Sequence, residues 1–338
     1  MMPTLARALR PCSAHRMKTR PARLAALPIA RWALLLLVLA MGTAGHAQIL
    51  LVGPGTEDPD ILHFNTEFIA RNGVRSVKGQ AWVKRDNKPM LPLDRHFQYQ
   101  FGEEGRLGYT NTSFGKAGSG MDTASVMYSY DNEGRLLQEL HNDINGFYAL
   151  RSEYDREGRA TRVTNVRLEN LGGNRYHFVE GPSTIISDER YEYRKLSDTT
   201  WMKTWLNDRG RPYQEEMFTL DGLGYLRQVD RRNLITQRRG SITFTYDEKG
   251  RLEERNEQPD LAVQQSTTWK WTYDQAGNPL TRDLFRNGVL ARHSEYLYAE
   301  GTLFLKAVIT KNDETNVIDI VRYETERRSA LAEPLKMD

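Results

Sequence analysis

The chain has 338 residues, enough for one large domain or two smaller ones. Its formal net charge is +3, but 7 of its 47 Lys and Arg and none of its 44 Asp and Glu precede Gln48; the rest of the chain therefore holds 40 basic against 44 acidic residues, a net −4. That balance excludes the basic surface a nucleic acid or anionic membrane would require. The single cysteine, Cys12, leaves the chain after Gln48 with neither thiol nor disulfide, so core burial alone must hold it together.

The chain opens like an export signal. Lys18, Arg20, Arg23 and Arg31 form a basic flank, Trp32 to Ala40 form an apolar run, and Gly45-His46-Ala47 supply small residues before Gln48. This predicts a secretory signal peptide over 1–47, cleaved after Ala47, with Met17 as an alternative start. An uncleaved anchor is the other reading, against which the apolar run is short for a span of about 20 residues. No membrane span is expected after removal of the signal, and the address is periplasmic or secreted.

Residues 48–76 read as a leader. The stretch 48–60 is rich in Gly and Pro. The stretch 61–72 predicts a short helix with Ile61, Phe64, Phe68 and Ile69 on one face and Gly73 as its C-terminal cap. Strand alternation takes over at Val74. The last strand is expected over Val317 to Tyr323, with a tail over 326–338 that frays from Ser329 onward.

Between them a pattern recurs: an aromatic, a spacer, Tyr or Phe or Leu, a small or acidic residue, two polar residues and Gly. The clearest copies are Tyr128-Ser-Tyr130-Asp131-Asn-Glu-Gly134, Phe244-Thr-Tyr246-Asp247-Glu-Lys-Gly250 and Trp271-Thr-Tyr273-Asp274-Gln-Ala-Gly277, with Tyr154-Asp155-Arg-Glu-Gly158 keeping the second half. Degenerate copies end at Gly105, Gly224 and Gly301. Successive glycines lie 29, 24, 26, 27 and 24 residues apart where the series is unbroken. Second turn signals fall between them, among them Asn145-Gly146, Gly172-Gly173-Asn174, Asp208-Arg-Gly210 and Asn287-Gly288. One repeat is therefore two strands and two turns. Asp opens each turn by bonding back to the chain, and Gly three residues later takes positive φ at low cost.

Parity separates two faces. Phe97, Tyr99 and Phe101 alternate with His96, Gln98 and Gln100. Trp269, Trp271 and Tyr273 alternate with Thr268, Lys270 and Thr272, and Ile242, Phe244 and Tyr246 alternate with Ser241, Thr243 and Thr245. This is an antiparallel sheet with one wet face. Such a sheet must curl, close or fold onto itself to bury its aromatic rows. The expected fold is all-β, a curled antiparallel meander of hairpins over 77–325 with one short N-terminal helix.

These residues resemble the YD-repeat (rearrangement hot spot) family over roughly 75–325. The resemblance implies a coiling β-strip with Tyr130, Tyr154, Tyr246 and Tyr273 as core and Asp131, Asp155, Asp247 and Asp274, with Gly134, Gly158, Gly250 and Gly277, as turn residues. The chain is too short to build the shell of the large members. It also lacks the Asp-Pro-x-Gly element of the self-cleaving ones, so neither delivery nor self-processing is implied.

No catalytic constellation stands out. The acids are serial and each has a turn to make, whereas a two-carboxylate hydrolase needs one distinguished pair. None of His63, His96, His141, His177 and His293 has a second histidine at zinc-site spacing. Glu57-Asp58-Pro59-Asp60 offers oxygen ligands without the spacing of a calcium loop. Gly118-Ser119-Gly120 lacks the strand and helix of a nucleophile elbow, and there is no phosphate loop. No metal or cofactor is expected. One feature stands apart: Trp201, Lys203 and Trp205 share a face. If Leu206 takes the buried slot of a degenerate repeat, both tryptophans reach solvent, where they would stack on sugars or anchor a protein; a shift of one residue buries them. The functional expectation is a non-enzymatic envelope protein binding carbohydrate or protein. The alternatives are a structural subunit docking through a sheet edge or its wet face, and a hydrolase with a site assembled from distant repeats.

Overall fold

The computed structural model describes residues 48–55, 58–113, 123–143, 145–173 and 177–328. The signal segment with Cys12, Glu57, the Gly118-Ser119-Gly120 loop, Asn174 and the tail from Ser329 lie outside them.

The chain runs through one short helix, α1 (Thr66–Arg71), and eighteen strands. The first nine are β1 (Val74–Lys84), β2 (Leu91–Phe101), β3 (Leu107–Ser113), β4 (Thr123–Tyr130), β5 (Leu136–Asp143), β6 (Gly146–Tyr154), β7 (Ala160–Asn170), β8 (Glu180–Lys195) and β9 (Thr200–Leu206). The rest are β10 (Pro212–Leu220), β11 (Leu226–Asn233), β12 (Arg239–Tyr246), β13 (Leu252–Gln258), β14 (Thr267–Tyr273), β15 (Pro279–Arg286), β16 (Val289–Tyr298), β17 (Leu305–Asn312) and β18 (Ile318–Arg327).

Each strand pairs antiparallel with the next in sequence, and β1 also pairs with β18. The meander is therefore a closed ring, which leaves no described strand with an unpaired edge. Beyond ring neighbours, no two strands make more than marginal contact among the described residues. A ring of this many strands is wide enough to keep an open interior.

The leader identifies the inner face. Leu50 bridges to Phe64 as an isolated antiparallel pair. Phe64 packs on Tyr99 and Phe101 of β2, with ring centroids 4.9 and 5.1 Å apart. Leu50 shares a crevice with Trp271 of β14 and Tyr296 of β16. Six strand spacings, roughly 30 Å of wall, separate β2 from β14. A single paired segment touches both only from the concave side. The aromatic face is thus the interior and the polar face the exterior.

The predicted helix over 61–72 is shorter than expected. Asn65 caps it through side-chain bonds from Glu67 and Phe68 N–H, and residues before Asn65 are extended because Phe64 is committed to its bridge with Leu50. Only Phe68 and Ile69 of the expected apolar face lie on the helix; Ile61 is exposed. Gly73 caps the C-terminus as read, with φ +60°. The helix sits against the β2–β3 turn. A Cβ on Gly105 would stand 2.0 Å from the Thr66 carbonyl, so close approach and a φ of +79° both require glycine there. The last strand, Ile318–Arg327, runs past the predicted end at Tyr323 because β1 continues to pair with it as far as Arg327.

The repeat turns share one geometry and one end of the ring, since they join even-numbered strands to the following odd ones. Asp131 Oδ1 accepts the N–H groups of Glu133 and Arg135 at 2.9 and 2.8 Å, and Asp155 and Asp247 do the same two and four residues on. Asp274 Oδ1 accepts Asn278 N–H at 2.8 Å. Each Asp–Arg pair then reaches the next repeat. Arg135 bonds Asp131 at 2.6 Å and lies over the Tyr154 ring; Arg251 bonds Asp247 and lies over Tyr273. Finally each repeat tyrosine donates its hydroxyl to a carbonyl of the preceding turn: Tyr130 to Leu107, Tyr154 to Leu136, Tyr193 to Ala160, Tyr246 to Leu226, Tyr273 to Leu252 and Tyr298 to Pro279, at 2.5 to 2.8 Å. The Tyr193 and Tyr298 rungs extend the series beyond the four tyrosines of the clear copies.

Tyr154→Phe removes one rung and takes the hydroxyl donor from the partly buried Leu136 carbonyl; it is expected to cost about 1 kcal/mol, read from the urea midpoint at unchanged slope. A pH effect follows as well. Burial raises the phenols of Tyr130 and Tyr193 to about 12 from an ordinary 10.0. The fold therefore holds their protons where the unfolded chain loses them, so stability is full below pH 10 and falls as pH rises toward 12. Urea midpoints taken through that range should fall, and Tyr130→Phe should flatten the fall.

Candidate interior binding wall

Two arcs make up the interior. One, from β14 through β18 to β2, is covered by the leader: Ile49, Leu50, Phe68 and Ile69 form a core with Val74, Val77, Phe101, Tyr296 and Leu305. The other is met by the leader only at its β11–β13 end, where Val52 packs on the buried Val229, Ile242, Phe244 and Leu252; most of its remaining inward side chains are half-buried.

Trp201, Lys203 and Trp205 stand on the second arc, facing inward. Trp201 lies in a cross-strand row with Phe218, Val229 and Ile242, the last two in the buried core, and stacks flat on Phe218 at 3.8 Å. The solvent-facing alternative does not hold, for a local reason. The turn Asn207-Asp208-Arg209-Gly210 does copy the repeat turn, since Asn207 Oδ1 accepts Arg209 and Arg211 N–H at 3.0 Å. It joins an odd strand to an even one, however, so it closes the opposite end of the ring. There the tyrosine-like slot, Leu206, pairs with outward Arg190 and the tryptophans turn in.

Around them the wall mixes aromatic faces with charge. Trp205 meets Tyr191 edge-on at 4.8 Å, and the Lys203 ammonium lies 3.9 Å from the Tyr191 ring centroid and 4.1 Å from that of Trp205. The Trp205 indole N–H is shielded and meets no hydrogen-bond acceptor. Glu189 accepts the Tyr213 hydroxyl at 2.7 Å and the Tyr191 hydroxyl at 3.2 Å. Burial, and then the Glu189 carboxylate, push both phenols well above their ordinary value. The next row along the wall is Tyr193, Lys203, Glu216 and Arg231. Arg231 bonds the buried Glu216 at 3.0 Å and reaches Glu257 at 3.6 Å. Arg231 thus bridges the two carboxylates, and Arg255 also bonds Glu257 at 3.4 Å.

Such a surface offers flat rings for stacking, with donors and acceptors beside them. Sequence parity finds the tryptophans but misses Tyr191, Tyr213, Glu189, Glu216 and Arg231, because their rows form only once β8 to β11 are in register. Asp131, Asp155, Asp247 and Asp274 stay in their turns at the ring end, apart from this wall. No cluster of three His, Cys, Asp or Glu suited to a metal occurs among the described residues.

The exterior is charged at mid-strand over β13 to β17, whereas over β5 to β7 its outward Leu140, Ala149, Val166 and Leu168 form a small core under Phe178. Glu254, Lys270, Asp283, His293 and Lys311 follow one another in a single cross-strand row. A barrel facing lipid carries an apolar band there instead. No described helix is long and apolar enough to cross a membrane.

No family model matches this chain. No curated protein matches it either. Among solved structures, it is similar to a porin-like protein from Bacteroides uniformis, at 13% identity over 75% of this chain and 98% of that one, with a TM-score of 0.36. It is also similar to part of the Photorhabdus luminescens Tc holotoxin pore, at 15% identity over 75% of this chain and 15% of that one, with a TM-score of 0.30. A LolA superfamily protein from Nitrosomonas europaea is similar at 8% identity over 77% of this chain and 88% of that one, with a TM-score of 0.21.

Proposed function

We propose that this chain is an exported, non-enzymatic binding protein of the cell envelope, built from YD-type repeats, whose ligand surface is the open arc of the inner wall and whose ligand is a carbohydrate. The observation that carries the reading is the inward patch of Trp201, Lys203, Trp205, Tyr191 and Tyr213, with Glu189 and Glu216 beside it. Stacking faces next to fixed polar groups are what a sugar ring and its hydroxyls require. The charged exterior of β13 to β17 suits a surface that meets water.

A second reading, an interaction subunit of an envelope assembly, draws on a different face. Ring closure removes the sheet edges it would use. The outer surface of β8 nevertheless exposes Ile185 and Ile186 side by side, and a docking surface there would be apolar.

Titrating the full chain with neutral envelope glycans while following tryptophan fluorescence tests the first reading. A saturable change is expected, with Trp205→Ala weakening it about tenfold or more while the β spectrum stays intact. No change with any glycan would sink this reading and leave the docking subunit, to be tried by pull-down with Ile185→Asp.

A further inference from the structure

The leader-covered arc holds a second arrangement of charge. Arg282 and Arg292 both point inward from β15 and β16, with side chains 9% and 32% exposed. A guanidinium keeps its charge at any working pH, so an inward one needs an anion. Elsewhere on the inner wall that anion comes from the neighbouring strand, as with Glu216 for Arg231. Here the wall supplies none. The row partners of Arg282 are Trp271 and Ser294, and those of Arg292 are Leu284 and Asn312. The carboxylate comes instead from the leader: Asp60 Oδ1 is 2.9 Å from Arg282 Nη2, and Asp60 Oδ2 is 2.6 Å from Arg292 Nη2. Arg282 also donates to the Pro59 carbonyl.

One carboxylate held by two guanidiniums is how proteins hold an anionic ligand; here the buried Trp271 and Tyr296 lie behind the pair as part of the core. The Asp60 side chain is 36% exposed, and a rotation into water would not require moving the buried anchors Ile49, Phe68 and Ile69. We propose that Arg282 and Arg292 form a carboxylate-binding subsite for acidic sugars such as uronates, and that Asp60 is its internal competitor. This rests on the carbohydrate reading above and names the sugar class. The subsite is new to the wall: it lies on the leader-covered arc, while the tryptophan patch lies on the open one. Its affinity would be set by the chain's own acid, so that only a ligand offering a carboxylate displaces it.

The test uses the full chain with two probes, oligogalacturonate and a neutral galactose oligomer of similar length. Asp60→Asn is expected to bind oligogalacturonate about tenfold more tightly than the unaltered chain, and to leave the neutral oligomer unchanged. Arg292→Gln, at a partly exposed position, should weaken the acidic probe alone and stays informative if Asp60→Asn folds poorly. Unchanged acidic-probe affinity in a folded Asp60→Asn, or an equal loss of both probes in Arg292→Gln, would overturn the subsite. If the neutral oligomer still binds and Trp205→Ala still weakens it, the subsite falls while the carbohydrate reading stands. If neither probe binds any variant, both fall.

Discussion

The tyrosine hydroxyl that reaches back to the preceding turn is the contact on which the ring depends. A two-strand hairpin with one aromatic face is marginal alone. What joins each hairpin to the last is the same three-part link: Asp fixes its turn, Arg bonds Asp and lies over the next tyrosine, and that tyrosine donates to a carbonyl behind it. Each part satisfies a group the others leave open. The carboxyl of Asp155 shows the balance: burial raises it, while hydrogen bonds from the Arg159 side chain and backbone and from Glu157 N–H outweigh that and hold it below its ordinary value.

Where the link changes, something else occupies the space. In the Gly277 repeat the position of Arg135, Arg159 and Arg251 is taken by Asn278, which is fully buried and bonds Asp274 at 3.1 Å. Its side-chain oxygen accepts the N–H of Ile49 at 3.1 Å. A guanidinium in that slot would fill the path of the leader. The substitution thus marks where the leader enters the wall, and Tyr298 still makes its rung to Pro279 without an arginine above it.

Much of this was legible in the sequence. Local chemistry sets the turns, so Asp131 to Gly134 and its copies could be placed from residue type alone, and period-two alternation assigned Trp271 and Phe244 to the buried face. Three things were not legible because they depend on distant partners. Closure rests on β1 meeting β18. The course of residues 58–64 rests on Leu50, Trp271 and Arg282 rather than on their own helical period, which is why the predicted helix lost its first half. The facing of Trp201 and Trp205 rests on which end of the ring their turn closes, and that depends on the β8–β9 turn, Leu196 to Thr200, which has no repeat glycine to announce it. Of the candidate site, the tryptophans and Lys203 were visible and the acids and tyrosines that complete the wall were not.

The seam between β1 and β18 has a kinetic consequence. It joins Ser76 to Glu326, residues 250 apart. The other strand pairs are sequential hairpins, which form from nearby chain at small entropic loss. Hairpins can therefore accumulate from the N-terminus onward while two edges remain open, and only the arrival of the last strand removes them. Until then the unfinished sheet offers its inner aromatic rows and both edges to any other chain. A protein of this design is most vulnerable to aggregation just before it is complete, and a shortened chain lacking β18 would stay in that vulnerable state permanently.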